Sequence, residues 1–430
     1  MQIRVDKFRN NLQLLKLVVP KKTTLDVLLN VRLGNCQMVG DDLETAVILR
    51  VPELTEDCLL PYLKTMELLK FVPGDEMLTI EQQDRKVKLT WTEGSAVYPN
   101  KVGPEEYPTV PLPQESEVKS EGNVDGDRLV NTLVNILAYV AADTSRPVLS
   151  GVTLILGSPV YVAAGDGFRA AHQSLPSTYP SEETLILPAN SVSVIEQLWK
   201  KLPKPAPLAG SLVTQLLSKR LVHLTVSTND KLIVRFGDAL VVCSLIQGSP
   251  PDFKKLIDSM EEPIKVRLFA SELYNAARRI ADIANASNGI ARLLWTDSEM
   301  VVSAHSEDHG DVEAKLRVQP GADPGRIAVN VKYLLEYFAR KDGLVTMGIN
   351  TRNSPMLLHY GSNPVVAVMP MQCQWDDDPK PETPPEAPES PENTAEEQEP
   401  ENVEETGGEP TEEPETGETQ ETEQVSEPVE

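Results

Sequence analysis

The chain has 430 residues and a formal net charge of -25, but residues 376–430 hold 19 Glu, 3 Asp and a single Lys and so carry -21, leaving only -4 on residues 1–375. A near-neutral body does not exclude a nucleic-acid partner, because local basic surface decides that. Cys36, Cys58, Cys243 and Cys373 form no C-x-x-C pair, against structural zinc or a disulfide scaffold; no run approaches the roughly 20 apolar residues of a membrane helix, and the polar start "MQIRVDKFRN" is not a signal peptide, so a cytoplasmic protein is expected.

In chain order, "DKFRNNLQLLKLVV" predicts a helix capped by Asp6. Strand-like runs "VLLNVRL" and "ETAVILRV" follow, then a second helix in "TEDCLLPYLKTM", interrupted by Pro61, and a strand in "KVKLTW". After a polar link at Pro113–Asn123 the order recurs. A helix capped by Asp127 ("DRLVNTLVNILAYV") precedes strands "SGVTLIL" and "VYVAAGDGFRAA", a helix "NSVSVIEQLWKK" and strands in "KLIVRFGDALVVCSLI". The segment Pro203–Arg220 reads as a surface insertion. A link at Ile257–Pro263 leads to a third round: a helix capped by Ser271 ("SELYNAARRIADIA"), strands "ARLLWT" and "MVVSAH", a helix "NVKYLLEYFARK" and the strand "PVVAVMPM". Apolar residues sit 2, 6, 9 and 13 positions after each of the three caps, one face of a helix. They are Phe8, Leu12, Leu15 and Val19; Leu129, Leu133, Ile136 and Val140; Leu273, Ala277, Ile280 and Ala284. The pattern predicts an α+β protein of three repeated domains at 1–118, 123–258 and 262–375, each with two helices on antiparallel sheets. Residues 376–430, Glu/Pro/Thr-rich and without an aromatic residue, are expected to be a disordered acidic tail.

Catalytic patterns are sparse. The chain has five His, and "HSEDH" places His305 and His309 in a polar turn rather than in H-E-x-x-H on a helix. There is no P-loop pattern, and "AAGDGFRAA" (163–171) reads as a turn between strands, since Gly tolerates positive φ and Asp bonds the local backbone. A phosphate role for that turn is the weaker reading. No metal, cofactor or catalytic residue is assigned. The helices carry basic residues away from their apolar faces, among them Lys200, Lys201, Arg278 and Arg279. For any one of them an ordinary solvated face explains as much; together they suit sequence-independent contact with phosphates.

The runs "SRPVLSGVTLIL…VYVAAGDGFRAAHQSLP", "RFGDALVVCSLIQGSPPDFKKLI" and "NVKYLLEYF…SPMLLHY…VVAVMPM" resemble the bacterial sliding clamp, the β subunit of DNA polymerase III, over residues 1–375. The resemblance implies a DNA polymerase processivity factor: a homodimeric ring of clamp-type domains around duplex DNA, performing no chemistry, that binds replicative and repair polymerases and the clamp loader through a hydrophobic peptide groove. Carried over, the groove comprises Leu149, Gly165, Gly167, Phe168, Arg169, Ala170, Pro251, Lys255, Leu256, Asn330, Tyr333, Pro355, Val368, Met369, Pro370 and Met371. For Val368 taken alone a core position is the preferred reading. Lys22 and Arg146 join the four helix cations as DNA contacts, and Val97 and Ile283 mark the dimer interface. Phe168 stands where His is common in the family, and Asp282 falls in the expected interface. Two alternatives stay open: a divergent accessory or repair protein that does not close a standard ring, and a metal-dependent nuclease using Asp166 or the His305/His309 pair.

Overall fold

The computed structural model describes residues 1–143, 145–202, 220–361 and 364–375. The expected insertion, apart from Arg220, and the expected acidic tail lie outside the described residues. Among the described residues no helix is long and apolar enough to cross a membrane.

Strands come in three sets of eight. The first is β1 (Gln2–Arg4), β2 (Asn30–Gly34), β3 (Gln37–Asp41), β4 (Thr45–Arg50), β5 (Cys58–Pro61), β6 (Met77–Gln83), β7 (Lys86–Trp91) and β8 (Gly94–Pro99). The second is β9 (Val118–Asp125), β10 (Gly151–Leu156), β11 (Val160–Gly165), β12 (Arg169–Leu175), β13 (Glu183–Pro188), β14 (Leu221–Ser227), β15 (Lys231–Phe236) and β16 (Ala239–Ser244). The third is β17 (Ile264–Phe269), β18 (Ile290–Trp295), β19 (Glu299–Ser306), β20 (Gly310–Arg317), β21 (Gly325–Asn330), β22 (Leu344–Ile349), β23 (Met356–His359) and β24 (Val365–Val368). In each set the first strand pairs with the sixth, seventh and eighth in that order, and the fifth with the second, third and fourth. The sets are joined by antiparallel pairing of a fourth strand to an eighth: β4 to β16, and β12 to β24. The result is two eight-stranded and two four-stranded sheets.

The first strand of each set runs straight into a helix: α1 (Val5–Leu14), α3 (Gly126–Leu137) and, in the third set, α6 (Ala270–Ala286). The fifth strand runs into another: α2 (Tyr62–Leu68), α4 (Ala189–Lys201) and α7 (Val331–Phe338). A short helix, α5 (Phe253–Asp258), lies in the connection between the second and third sets. Of the twelve periodic apolar residues, eleven are buried and Val140 is partly so. The stripe packs because positions three and four apart share a helix face, and burying each large side chain contributes about 1.5–3 kcal/mol.

Several boundaries differ from expectation. The three helices begin one residue before the expected caps; in α3 it is Asp125, not Asp127, whose side chain accepts the N–H of Arg128. Pro61 does not interrupt a helix. It is the N-cap of α2, and Cys58, Leu59 and Leu60 before it form a buried strand. Part of the expected link at Pro113–Asn123 is strand β9, paired along β14. β3 and β20 escaped the sequence reading because they are short on β-branched residues; they form by completing hairpins with β4 and β19.

One turn recurs at both joints. Asp42 Oδ1 accepts the N–H groups of Glu44 (3.1 Å) and Thr45 (2.7 Å), and Asp166 Oδ1 those of Phe168 and Arg169 (both 2.9 Å). Both turns enter the strand that crosses to the next set. At the first joint Asn190 Nδ2 donates to Asp42 Oδ2 (2.8 Å), and the hydroxyls of Thr45 and Ser191 meet at 2.6 Å in the interior.

Candidate functional site

The second joint gathers most of the expected groove residues, but on two sides of one sheet. Alternation along β12 sends Arg169 to the helix side and Ala170 to the outer side. Arg169 is 8% exposed and forms a hub. Its Nε bonds Asp166 Oδ2 (2.9 Å), Nη1 pairs with Glu336 of α7, and Nη2 donates to the carbonyl of Ala138 (3.0 Å). The rings of Tyr139 and Tyr333 flank the guanidinium at 5.2 and 4.5 Å. Tyr333 thus belongs to the helix side, and Asn330 caps α7 by accepting the N–H of Lys332.

The outer side is apolar. Leu149, Ala163, Ala170, Phe253, Ile257, Leu357 and Ala367 form a separate buried cluster from the main core. Phe253 and Ile257, four apart, anchor α5 over the sheet, with Asp252 as its cap. Gly165 makes this possible: a Cβ there falls 2.5 Å from the Phe253 ring. Gly167, at φ +94°, is where the turn needs a residue without a Cβ. The rim is open, with Phe168 61%, Leu256 49% and Met369 46% exposed. Pro251 and Lys255 are exposed beside it, and Pro355, Pro370 and Met371 are half-buried. The N–H of Met369 donates to Phe168 O (2.8 Å) and that of Met371 to Ala328 O (2.7 Å), tying the segment after β24 to the turn and to β21.

Val368 and Arg146 stand apart from the other expected residues. Val368 is buried in the main core with Val366, as its core reading had it, while Ala367, Val365 and Leu357 belong to the outer cluster. Arg146, expected with the DNA contacts, lies against Gly167, its Nη2 3.3 Å from where a Cβ would be. It is an exposed cation beside the turn. The proximity of residues 146 and 167 is tertiary, and no local pattern announces it. Phe253, Leu357 and Glu336 were missed; only the period-2 alternation of β24, read strictly, pointed to Ala367 over Val368.

The other candidates are spread out. Lys22 is exposed in the loop after α1. In the last turn of α4, Lys200 pairs with Glu196 and Lys201 donates to the Gln13 carbonyl (3.2 Å) across the first joint. Arg278 and Arg279 are exposed on α6. Val97 is 49% exposed on β8, and Ile283 is half-buried on α6 next to exposed Asp282.

Asp166 is fully engaged in its turn and with Arg169. His305 bonds Asp311 (2.6 Å) across the β19–β20 hairpin, and His309 lies in its turn. Among the described residues no three His, Cys, Asp or Glu are grouped to hold a metal. Burial pushes the thiols of Cys58 and Cys243 up to about 12, which keeps them protonated. What the outer face of the joint offers is a shallow apolar surface with adaptable methionines and a cationic rim, suited to docking a peptide.

No protein-family model matches the chain. In sequence it is 23% identical over 375 residues to the beta sliding clamp of Pseudomonas putida, covering 84% of this chain and 96% of that one. It is 24% identical over 324 residues to the beta sliding clamp homolog GriR of Streptomyces muensis, covering 74% and 80%. Among solved structures, the DNA polymerase III subunit beta of Pseudomonas aeruginosa superposes with a TM-score of 0.75 at 21% identity, over 87% of this chain and all of that one. A sliding clamp from the same organism bound to griselimycin gives 0.73 at 21% identity, over 87% and 99%.

Proposed function

We infer that this chain, whose sequence relatives support the bacterial sliding-clamp family and whose fold is that of the DNA polymerase III β subunit, is a processivity factor that closes as a head-to-tail homodimer around duplex DNA. One observation carries the reading. Fourth and eighth strands pair at both joints, yet among the described residues β20, a fourth strand, and β8, an eighth, remain edges. The same pairing between two copies, β20 of one to β8 of the other, continues the pattern and closes six repeats into a ring. Unpaired edges of this kind are templates for a further strand. On this reading the three eight-strand repeats are the domains expected at 1–118, 123–258 and 262–375, with the second beginning at Val118 rather than at 123, and Val97 and Ile283 stand at the closing joints. Exposed cations on the helices, Arg278 and Arg279 foremost, meet phosphates without reading bases.

The outer face of the second joint then serves as the groove through which polymerases and the clamp loader are tethered, with Leu149, Ala170, Phe168, Met369 and Met371 as its apolar contacts. The protein performs no chemistry. Retention on DNA tests the reading: protein loaded on circular duplex should stay bound and be lost when the circle is cut once. Equal loss from circles and linear DNA excludes a topological ring. The exposed Asp282 beside Ile283 favours a second reading, a clamp-like accessory protein that does not close. A solution mass of 47.3 kDa at micromolar concentration selects that reading, and twice this mass selects the ring.

A further inference from the structure

The two joints are built alike but differ in what covers their outer faces. Registers align them: Gly165, Ala170 and Ala367 stand across the second joint as Asp41, Ala46 and Val242 stand across the first. Two residues along, the row at the second joint is Ala163, His172 and Val365. That row is roofed by α5, which inserts Phe253 and Ile257 and brings Asp258 to 3.3 Å from His172. The equivalent row at the first joint is Val39, Ile48 and Leu240. Among the described residues no helix lies on it. The connecting segment there packs Val110 into the cluster of Ala46, Ile233, Val242 and Leu240, and its residues 107–110 and Leu112 form one wall beside Val39 and Ile48.

What is left is a trough of two cavities, about 280 and 160 Å³, that share Asn35, Gln37 and Ile48. Ile48 lies at the bottom, with Val39 and Leu240 half-buried beside it. The register puts Arg235 directly across from Leu240, and Arg50 across from Gln37. Both arginines are exposed, and among the described residues neither guanidinium has a hydrogen-bond or ion-pair partner. Arg32, at the far end of the row, is held by Asp57 through two bonds of 2.9 and 3.0 Å. One carboxylate, Asp238, shares the wall of the larger cavity.

We propose that this trough is a second docking site, for a short acidic amphipathic segment of a partner protein that seats apolar side chains on Ile48 and Leu240 and carboxylates on Arg50 and Arg235. The chain's own α5 shows what fits such a place: a six-residue helix with apolar anchors four apart and an Asp at either end, D-F-K-K-L-I-D. At the second joint α5's own acid is met by His172 of β12 and by Lys254 of α5 itself, whereas at the first joint the position of His172 is taken by Ile48 and the cations on offer are the two free guanidiniums, which favour bidentate carboxylates. Asp238 repels a third carboxylate and so fixes the segment's register. The site does not depend on ring closure or on the groove at the second joint.

The test is fluorescence anisotropy on the full chain with a labelled peptide Asp-Phe-Glu-Glu-Leu-Ile-Asp. Saturable binding is expected, weakened at least about tenfold in Arg50→Glu/Arg235→Glu. It is expected to be unchanged in Met369→Ala at the other joint and lost when the peptide's Phe and Ile become Ser. Both arginines are exposed and unpaired, so the double variant should unfold at the parent's temperature; Leu240→Glu gives an independent disruption of the floor. Absence of saturable binding overturns the proposal. So does binding that ignores the arginines but falls in Met369→Ala. Binding seen only after residues 376–430 are removed assigns the trough to the chain itself and overturns the partner reading as well.

Discussion

Arg169 concentrates more of the second joint than any other side chain described here. It bonds a carboxylate of its own turn, the end of α3 and a glutamate of α7, so one guanidinium holds two repeats and the groove's rim together. Truncation leaves Asp166 and the Ala138 carbonyl without their partner in a nearly closed space. Arg169→Ala should therefore lower unfolding stability by about 2–3 kcal/mol, below the usual range for a buried pair because Glu336 is 39% exposed. Urea unfolding reads this, and a loss under about 0.5 kcal/mol means the hub does not bear on the joint. Arg169→Lys should recover little, since an ammonium cannot span three acceptors and stack between two rings. His172 adds a pH dependence on the other side of the sheet. Burial, opposed by Asp258 and aided by Lys254, lowers its pKa below 6.5. A depressed pKa means the folded state binds the proton less readily than the unfolded chain. The contribution is thus present above pH 6.5 and is lost as pH falls through the folded value. The melting temperature should drop between pH 7 and pH 5 by less in His172→Gln than in the parent; parallel curves would remove His172 from the account.

At the level of elements, ring closure reduces to whether β8 and β20 find each other. Val97 is 49% exposed on β8, and an aspartate there would be desolvated, without an assigned partner, in a sheet continued between copies. Val97→Asp should convert a particle of twice 47.3 kDa into one of 47.3 kDa by sedimentation, with helix content unchanged. A variant that remains a dimer puts the interface elsewhere. The helices of this fold were legible because each carries its instruction locally: Phe8, Leu12 and Leu15 repeat with the helical period whatever lies opposite. The hairpin at Asp166 was legible for the same reason. The joints were not. Pairing of β4 with β16 links residues nearly two hundred apart, and β9 reads as a polar link because alternate residues of "VKSEGNVD" face solvent. Of the outer face at the second joint, the turn and Met369–Met371 were legible because they are contiguous motifs. The inward facing of Val368 and the approach of Arg146 to Gly167 were not legible as such, because both depend on neighbours far away in sequence.

For the whole molecule, the charge distribution and the topology make separable demands on how DNA is held. Residues 1–375 carry only -4, and the exposed cations of α6 face no described carboxylate within ion-pair distance. Contacts of this kind weaken steeply with salt: a protein neutralising several phosphates loses orders of magnitude in affinity between about 50 and about 200 mM. A closed ring is held by linkage, which salt does not screen. Protein already loaded on circular DNA should therefore be retained across that salt range, in the parent and equally in Arg278→Gln/Arg279→Gln. On linear DNA, binding of the same two proteins should fall with salt, less steeply in the variant by about 0.9 in the logarithmic slope for each phosphate contact removed. If retention on circles follows the linear curve, charge alone holds the protein and the β8 and β20 edges do not meet. If it is flat on circles while the linear slope is unaltered by the double substitution, the ring closes but the phosphates are met by helices other than α6.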